Sequence, residues 1–324
     1  MESCFNLTEM REHSIRSVAA GIFAVKTAES TLTTASETTA GSAAEYMKPP
    51  QLRRRKAQFP AVTPLLILFF LPVFLLIPTV VSGQGMELVF IEGGSFVMGC
   101  YDPSLDCDDD ETELRDVTVY GFYISTTEIS QGVYDEVMGR NISLIKEPTL
   151  PVNNVSWYDA IEFCNKLSLK HKLNPCYIIK GRKVTCNFSA NGYRLPTEAE
   201  WEFAARGGNL SKGWLFAGSN DPFTVGWFKE NSAGRARPSK QKAPNELGLF
   251  DMSGNLWEWC WDIYGPYEQT EVIDPKGAEK GGSRVLRGGS WYYESSVGRN
   301  SNRFSATPDT RSVTFGIRVV KKAG

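Results

Sequence analysis

Histidine is nearly missing from this chain. Only His13 and His171 occur in 324 residues, which leaves a multi-histidine metal centre or a Ser-His-Asp site almost nothing to draw on. His171 falls at the polar end of a predicted helix, where a solvated or capping role fits it. Cysteine is absent from Trp261 to Gly324, so no thiolate serves the C-terminal part. Charge of one sign is lacking as well. A formal net charge of -2 gives no basic excess for a phosphate backbone, and nucleic acid is not an expected partner. Helical periodicity is missing after Gly208, where aromatics, glycines and polar turns imply irregular coil with short strands.

Aromatic rings are what the chain has in plenty. There are eight Trp and twelve Tyr, gathered toward the second half. The stretch Arg287–Val320 is framed by RVLRGGSW, which closes a Gly-Gly turn on a Trp, and by GIRVV, which reads as a short apolar strand. Between these ends the residues have period neither 3.6 nor 2 and are rich in Tyr, Ser, Thr and Asn, with Arg299, Arg303, Arg311 and a Pro308-Asp309 turn signal set among them. Tyr gives rigid amphipathic contact area, and Ser, Gly and Asn give adaptable hydrogen bonds; that is the composition of a binding loop. A polar surface loop has the same composition.

The N-terminal part reads differently. Residues 1–46 are rich in Ser, Thr, Ala and Glu without apolar periodicity and read as disordered or as an over-called extension. Met47 opens a second plausible start over residues 47–84: the basic MKPPQLRRRK, the apolar run Ala61–Val81, then Val81-Ser82-Gly83. These are the parts of a secretory signal peptide. A membrane anchor is the competing reading, with Pro64, Pro72 and Pro78 inside the run. Export is the expectation. Beyond the signal stand Cys100, Cys107, Cys164, Cys176, Cys186 and Cys260, an even set suited to disulfides. A hairpin over YIIKGRKVT would bring Cys176 to Cys186, Cys100 and Cys107 close a short acidic loop, and Cys164 and Cys260 remain to pair or to stay as buried thiols.

From residue 85 to 324 the chain reads as one globular domain. MELVFIEGGSFVMG suggests two strands around a Gly-Gly turn and DVTVYGFYIS a third. Helices are expected over Glu128–Met138 with Ser130 as N-cap, over Ser156–His171 with Asp159 completing the start, and after the capping box Thr197-Glu198-Ala199-Glu200, ended by Gly207.

Three segments carry a likeness: Gly192-Tyr193-Arg194-Leu195-Pro196-Thr197-Glu198-Ala199-Glu200-Trp201-Glu202, the run NELGLFDMSGNLWEW over 245–259, and Arg287-Gly288-Gly289-Ser290-Trp291 with Gly316-Ile317-Arg318. Together they resemble the formylglycine-generating (sulfatase-modifying factor) family, from about Met86 to Val320. The resemblance implies an α+β, C-type-lectin-like fold, low in regular structure, with a small twisted antiparallel sheet. It also implies a structural calcium site at Glu258 with carbonyls near Ser253, Gly254 and Leu256, an oxygen-only set suited to Ca²⁺; Glu258 simply accepting from turn amides is the alternative. Enzymes of the family carry two catalytic cysteines shortly after GGSW that bind copper. The matching positions here are Tyr293 and Gly298, and neither residue replaces a thiolate as ligand or redox group. No copper, and no oxidase, is expected.

The remaining match is to a narrower group, C-type-lectin-like proteins of the treponeme variable kind, whose C-terminal segment is varied by a diversity-generating retroelement. The scaffold positions correspond to Trp291, Arg299, Asn302, Arg303, Pro308, Asp309, Arg311, Gly316 and Arg318. The residues between them, Tyr292, Tyr293, Glu294, Ser296, Val297, Phe304, Ser305, Ala306, Thr310, Ser312, Val313 and Thr314, then become the ligand-binding set, with Trp291 at their edge. Such elements randomise adenines; the Tyr, Ser, Val, Phe, Ala and Thr found here are reachable that way, and Glu294 is not. The arginines are expected to hold the coil through backbone carbonyls. The expected function is a non-catalytic, surface-displayed binding protein whose partner is a protein or glycan on another cell or host surface. An enzyme of the same fold with other chemistry, drawing on Glu294, Asp309 and the arginines, is the rival.

Overall fold

The computed structural model describes residues 85–100, 107–267 and 271–323, and the backbone of residues 80–83. The extension over 1–46 and nearly all of the signal or anchor segment over 47–84 lie outside these residues. No helix among the described residues is long and apolar enough to cross a membrane.

In chain order the elements are β1 (Val80–Gly83), β2 (Met86–Ile91), β3 (Gly94–Met98), β4 (Arg115–Val119), β5 (Phe122–Ser125), α1 (Gln131–Met138), α2 (Trp157–Lys170), β6 (Tyr177–Lys180), β7 (Lys183–Cys186), β8 (Tyr193–Arg194), α3 (Glu198–Ala205), α4 (Pro222–Val225), β9 (Trp257–Ile263), β10 (Glu271–Ile273), β11 (Arg284–Arg287), β12 (Arg303–Ala306), β13 (Phe315–Gly316) and β14 (Val320–Lys322). The helices start where side chains supply the missing acceptors. Ser130 accepts from the Val133 N–H, Ser156 and Asp159 form a reciprocal pair, and so do Thr197 and Glu200. Each satisfies N–H groups that have no partner in a first helical turn.

Four sheets result, with strand orders β1-β2-β5-β14-β8, β10-β4-β3, β12-β11-β9-β13 and β6-β7. The two strands flanking Gly93 do not form a hairpin: β2 pairs with β5, and β3 with β4, in different sheets. The single strand expected in DVTVYGFYIS is likewise two, parted at Tyr120-Gly121. The reason is a close crossing. A Cβ on Gly93 would lie 2.5 Å from the Val119 carbonyl oxygen and 2.8 Å from the Gly121 nitrogen, so only glycine admits the two backbones there. The expected C-terminal strand GIRVV is also divided. β13 runs parallel to β9, while β14 pairs with β5 and β8, so the last residues stitch two sheets together around Arg318.

Four tryptophans, Trp157, Trp201, Trp257 and Trp259, lie buried in the cores. Two of their indole N–H groups reach carbonyls 2.9 Å away, Trp157 on Cys260 and Trp259 on Val155, which allows so large a ring to be buried without a stranded donor. Of the expected disulfides only Cys100–Cys107 is present. The β6–β7 hairpin forms, but Cys186 stands opposite Tyr177 and Cys176 falls one residue off that pair; both thiols are free, and the Cys176 sulfur contacts the Gly192 carbonyl. Cys164 and Cys260 are also free and buried, because the fold sends Cys164 toward the other two thiols and Cys260 toward Asp262 and Glu198.

Candidate ligand-binding surface

Beyond β11 the Gly288-Gly289 turn, with φ of 100° and 80°, delivers Trp291. Its N–H donates to Asn255 at 2.8 Å and its indole to the Val313 carbonyl at 3.3 Å. A short helical turn over Ser295–Gly298 follows, then β12, then a turn in which the Thr310 N–H donates to Thr307. The expected site residues are therefore brought together along three neighbouring stretches. They are not equally available. Tyr292 is 57% exposed, and Glu294 and Ser296 are exposed beside it, Glu294 within 3.5 Å of Lys229. Tyr293 and Phe304 are half-buried and rest on Trp257, Phe304 stacked at 5.1 Å and Tyr293 edge-on at 6.2 Å. Val297, Ser305, Ala306, Thr310, Ser312 and Val313 are half-buried. Thr314 is buried, its carbonyl taken by the Trp257 N–H and its hydroxyl 2.7 Å from Ser312, so it belongs to the floor and not to the exposed face. Beside Trp291 and Val313 opens an apolar cavity of about 230 Å³ walled by Leu144, Ile145 and Leu150.

The arginines hold this coil, but chiefly through carboxylates where carbonyls alone were expected. Arg299 forks onto Glu111 at 2.7 and 2.8 Å, Arg303 onto Glu198 at 2.7 and 3.0 Å, and Arg318 onto Glu258 at 3.0 and 2.9 Å. Arg311 pairs with Asp159, and Arg287 with Glu202. Carbonyls complete the shells, as with Arg318 on Ser125 and Phe250. Burial pushes the Glu111 and Glu198 carboxyls up; hydrogen bonds from Ser301 and Arg299 in the first case, and the Arg303 and Arg287 charges in the second, outweigh it and hold both below the usual range. Asp309, offered by sequence as a catalytic candidate, is paired with Arg182.

Tyr293 and Gly298, the positions expected to match catalytic cysteines, are both packed against aromatic rings. Tyr293 is part of the aromatic floor. At Gly298 a Cβ would lie 2.4 Å from two atoms of the buried Phe228 ring. A cysteine there would have to displace that ring, and interiors packed to this density resist such shifts.

The Asp251–Leu256 turn, where a calcium site is expected, gathers carboxylates beneath a tightly curled backbone. Asp251 and Asn255 have φ of 56° and 59°, and Gly254 φ of 78°, curling the backbone tightly. Buried beneath are Glu128, Asp251 and Glu258. Glu258 is engaged by Arg318 and by the Trp201 indole at 2.7 Å, but Asp251 keeps one oxygen without a partner. Burial and the Asp251 charge push Glu128 well above the usual range, and burial lifts Asp251 to about 6. Three carboxylates facing one guanidinium need a proton or a cation. Sequence reading missed Asp251 and Glu128; Asp251 stands within the turn already singled out, whereas Glu128 arrives from another part of the chain.

Comparisons with known proteins bear on the family and the fold. A family model, the sulfatase-modifying factor enzyme 1-like domain, matches residues 74–323. The chain belongs to this family. It is 35% identical over 269 residues to the chaperone protein LppX of Paenibacillus barcinonensis, covering 72% of this chain and 89% of that protein. It is 32% identical to the formylglycine-generating enzyme of Streptomyces coelicolor, spanning 60% of this chain and 57% of the enzyme. Among solved structures, Treponema denticola variable protein 1 superposes with a TM-score of 0.67 at 29% identity, over 76% of this chain and 99% of that one. The expected C-type-lectin-like α+β fold is thereby the observed one.

Proposed function

We propose that this chain is an exported binding protein whose surface between Trp291 and Val313 takes a ligand, and that it is not an oxidase. The observation that carries the reading is a division of labour along one segment. Fixed arginines are anchored in buried carboxylates, while Tyr292, Glu294 and Ser296 face outward and Trp291 and Val313 line the neighbouring cavity. A preorganised loop loses little freedom on binding, so its contacts convert more fully into affinity. The replacement of both cysteine positions, with Gly298 closed by Phe228, argues against copper chemistry. The similarity to a treponeme variable protein supports variation of the segment, and the signal-like N-terminus supports display outside the cytoplasm. The partner class we favour is a protein or glycan on another surface. A structural Ca²⁺ would be held by Asp251 and Glu258 with carbonyls of Ser253, Gly254 and Leu256.

Deep sequencing of the gene's 3′ end across a passaged population tests the reading. Substitutions confined to the positions between the anchored arginines, with GGSW and GIRVV fixed, are expected. A uniform segment, or changes falling equally on Arg299, Arg303 and Arg311, would overturn variation of this surface. A second reading, enzyme activity of the family type, rests on the similarity to formylglycine-generating enzymes. Incubating the chain with a cysteine-containing peptide, copper and oxygen distinguishes the two, a mass change in the peptide favouring the enzyme.

A further inference from the structure

A second cleft lies away from this surface. Its volume is about 520 Å³, and Arg115, Tyr267, Glu198 and Arg303 line it together with residues of β10 and of the turn that follows. Arg115 is the anomaly. It is 8% exposed, its Nε has no hydrogen-bond partner, and the acceptor of its Nη2 is the Met98 sulfur at 3.3 Å. Its guanidinium lies on one Tyr267 ring contact at 4.0 Å, and that of Arg303 on another at 4.2 Å. Among the described residues no carboxylate oxygen comes within 4.0 Å of Arg115. The nearby Glu198 is already engaged, by Arg303 at 2.7 Å and Arg287 at 3.4 Å. Burial and the Glu198 charge also push the neighbouring Asp262 carboxyl up, to about 8. Arg115 feels the Glu198 and Asp262 carboxyls at longer range but makes no direct ion pair with either, and a buried guanidinium left so incompletely bonded is costly unless an anion completes it.

We propose that this cleft binds a small carboxylate, with Arg115 as its anchor. A planar carboxylate matches the guanidinium fork. The walls beyond it include Val272 and the outward Ile273, which suit an aliphatic tail. Among the described residues the lining also carries Glu271 and Glu279 against Lys276; these carboxylates disfavour a multiply charged phosphate and tolerate an ammonium group. An aliphatic amino acid, or the acid lacking its amine, has the required parts. Parallel pairing of β10 with β4, Glu271 opposite Asp116, sets these walls beside Arg115.

The test uses the purified full chain and four probes: leucine, 4-methylpentanoate, leucinamide and inorganic phosphate. Calorimetric titration should give saturable binding of leucine and 4-methylpentanoate, with leucinamide weaker by a factor on the order of 10 to 100 for want of the charged pair. Phosphate should bind more weakly than either acid. Arg115→Met should abolish binding of both acids, and Ile273→Trp, which enlarges an exposed side chain of the cleft lining and keeps Arg115, should do the same. Binding of the acids retained in Ile273→Trp would place the anion elsewhere and overturn the proposal, even if Arg115→Met failed to fold. Equal binding of leucinamide and leucine, binding of phosphate alone, or no binding of any probe would also overturn it.

Discussion

The Arg299–Arg318 stretch and the loop Tyr292–Val297 are neighbours in sequence, yet they are built on opposite principles. In the first, every arginine ends in a buried carboxylate from a distant part of the chain: Glu111, Glu198, Asp159 or Glu258. In the second, Tyr292, Glu294 and Ser296 stand exposed and only Tyr293 and Val297 touch the core. The arginines tie the backbone of one part to the core, while the other part turns three of its side chains to solvent. Irregular coil has no ladder of backbone hydrogen bonds to fix it, so bidentate ion pairs take over that role, at the cost of desolvating charges that must then remain paired.

The largest effect should come from breaking an anchor. Arg318→Ala strands Glu258 in the interior and should lower stability by about 3–5 kcal/mol, measured by denaturant unfolding. Next is Gly298→Cys, which restores a family-type residue; its collision with Phe228 should cost about 1–3 kcal/mol, and Tyr293→Cys combined with it should still yield no oxidised peptide. Asp262→Asn sharpens the contrast between paired and unpaired buried acids. The folded Asp262 titrates at about 8, against an ordinary value of 3.8. Its contribution to stability is therefore full below the ordinary value and is lost as pH rises toward 8, because the folded state holds the proton more tightly. The Asn variant should lack that decline, so its stability relative to the native protein should rise steadily between pH 4 and pH 8.5, measured by denaturant unfolding across that range. Smallest in stability is Tyr292→Ala, expected within about 0.5 kcal/mol of the parent because the ring is exposed, while ligand capture by the surface falls sharply. A large loss of stability there would make Tyr292 part of the framework.

Much of this could be read before any fold was known. The helix starts at Ser130, Ser156 and Thr197 are local chemistry, since a side-chain oxygen two or three residues before a free N–H is enough to cap it. The family motifs located the turn at Asp251–Leu256 and the segment after GGSW. What stayed hidden depended on long-range contact. Strand division at Gly93 and Gly121 follows from two backbones crossing, and the free state of Cys164, Cys176, Cys186 and Cys260 follows from where their carriers pack.

By itself the sequence determined the caps, the irregular second half, the missing thiolates after Trp261 and the residues of the exposed loop, because these are properties of composition and near neighbours. Only the tertiary structure decided which carboxylate receives each arginine, that Thr314 is buried while Tyr292 is not, that Phe228 fills the space beside Gly298, and that Arg115 makes no direct ion pair among the described residues. Those outcomes depend on residues far apart in the chain meeting in a low-dielectric interior, where the strength of a charge pair or the room for one carbon is set by the partner's position.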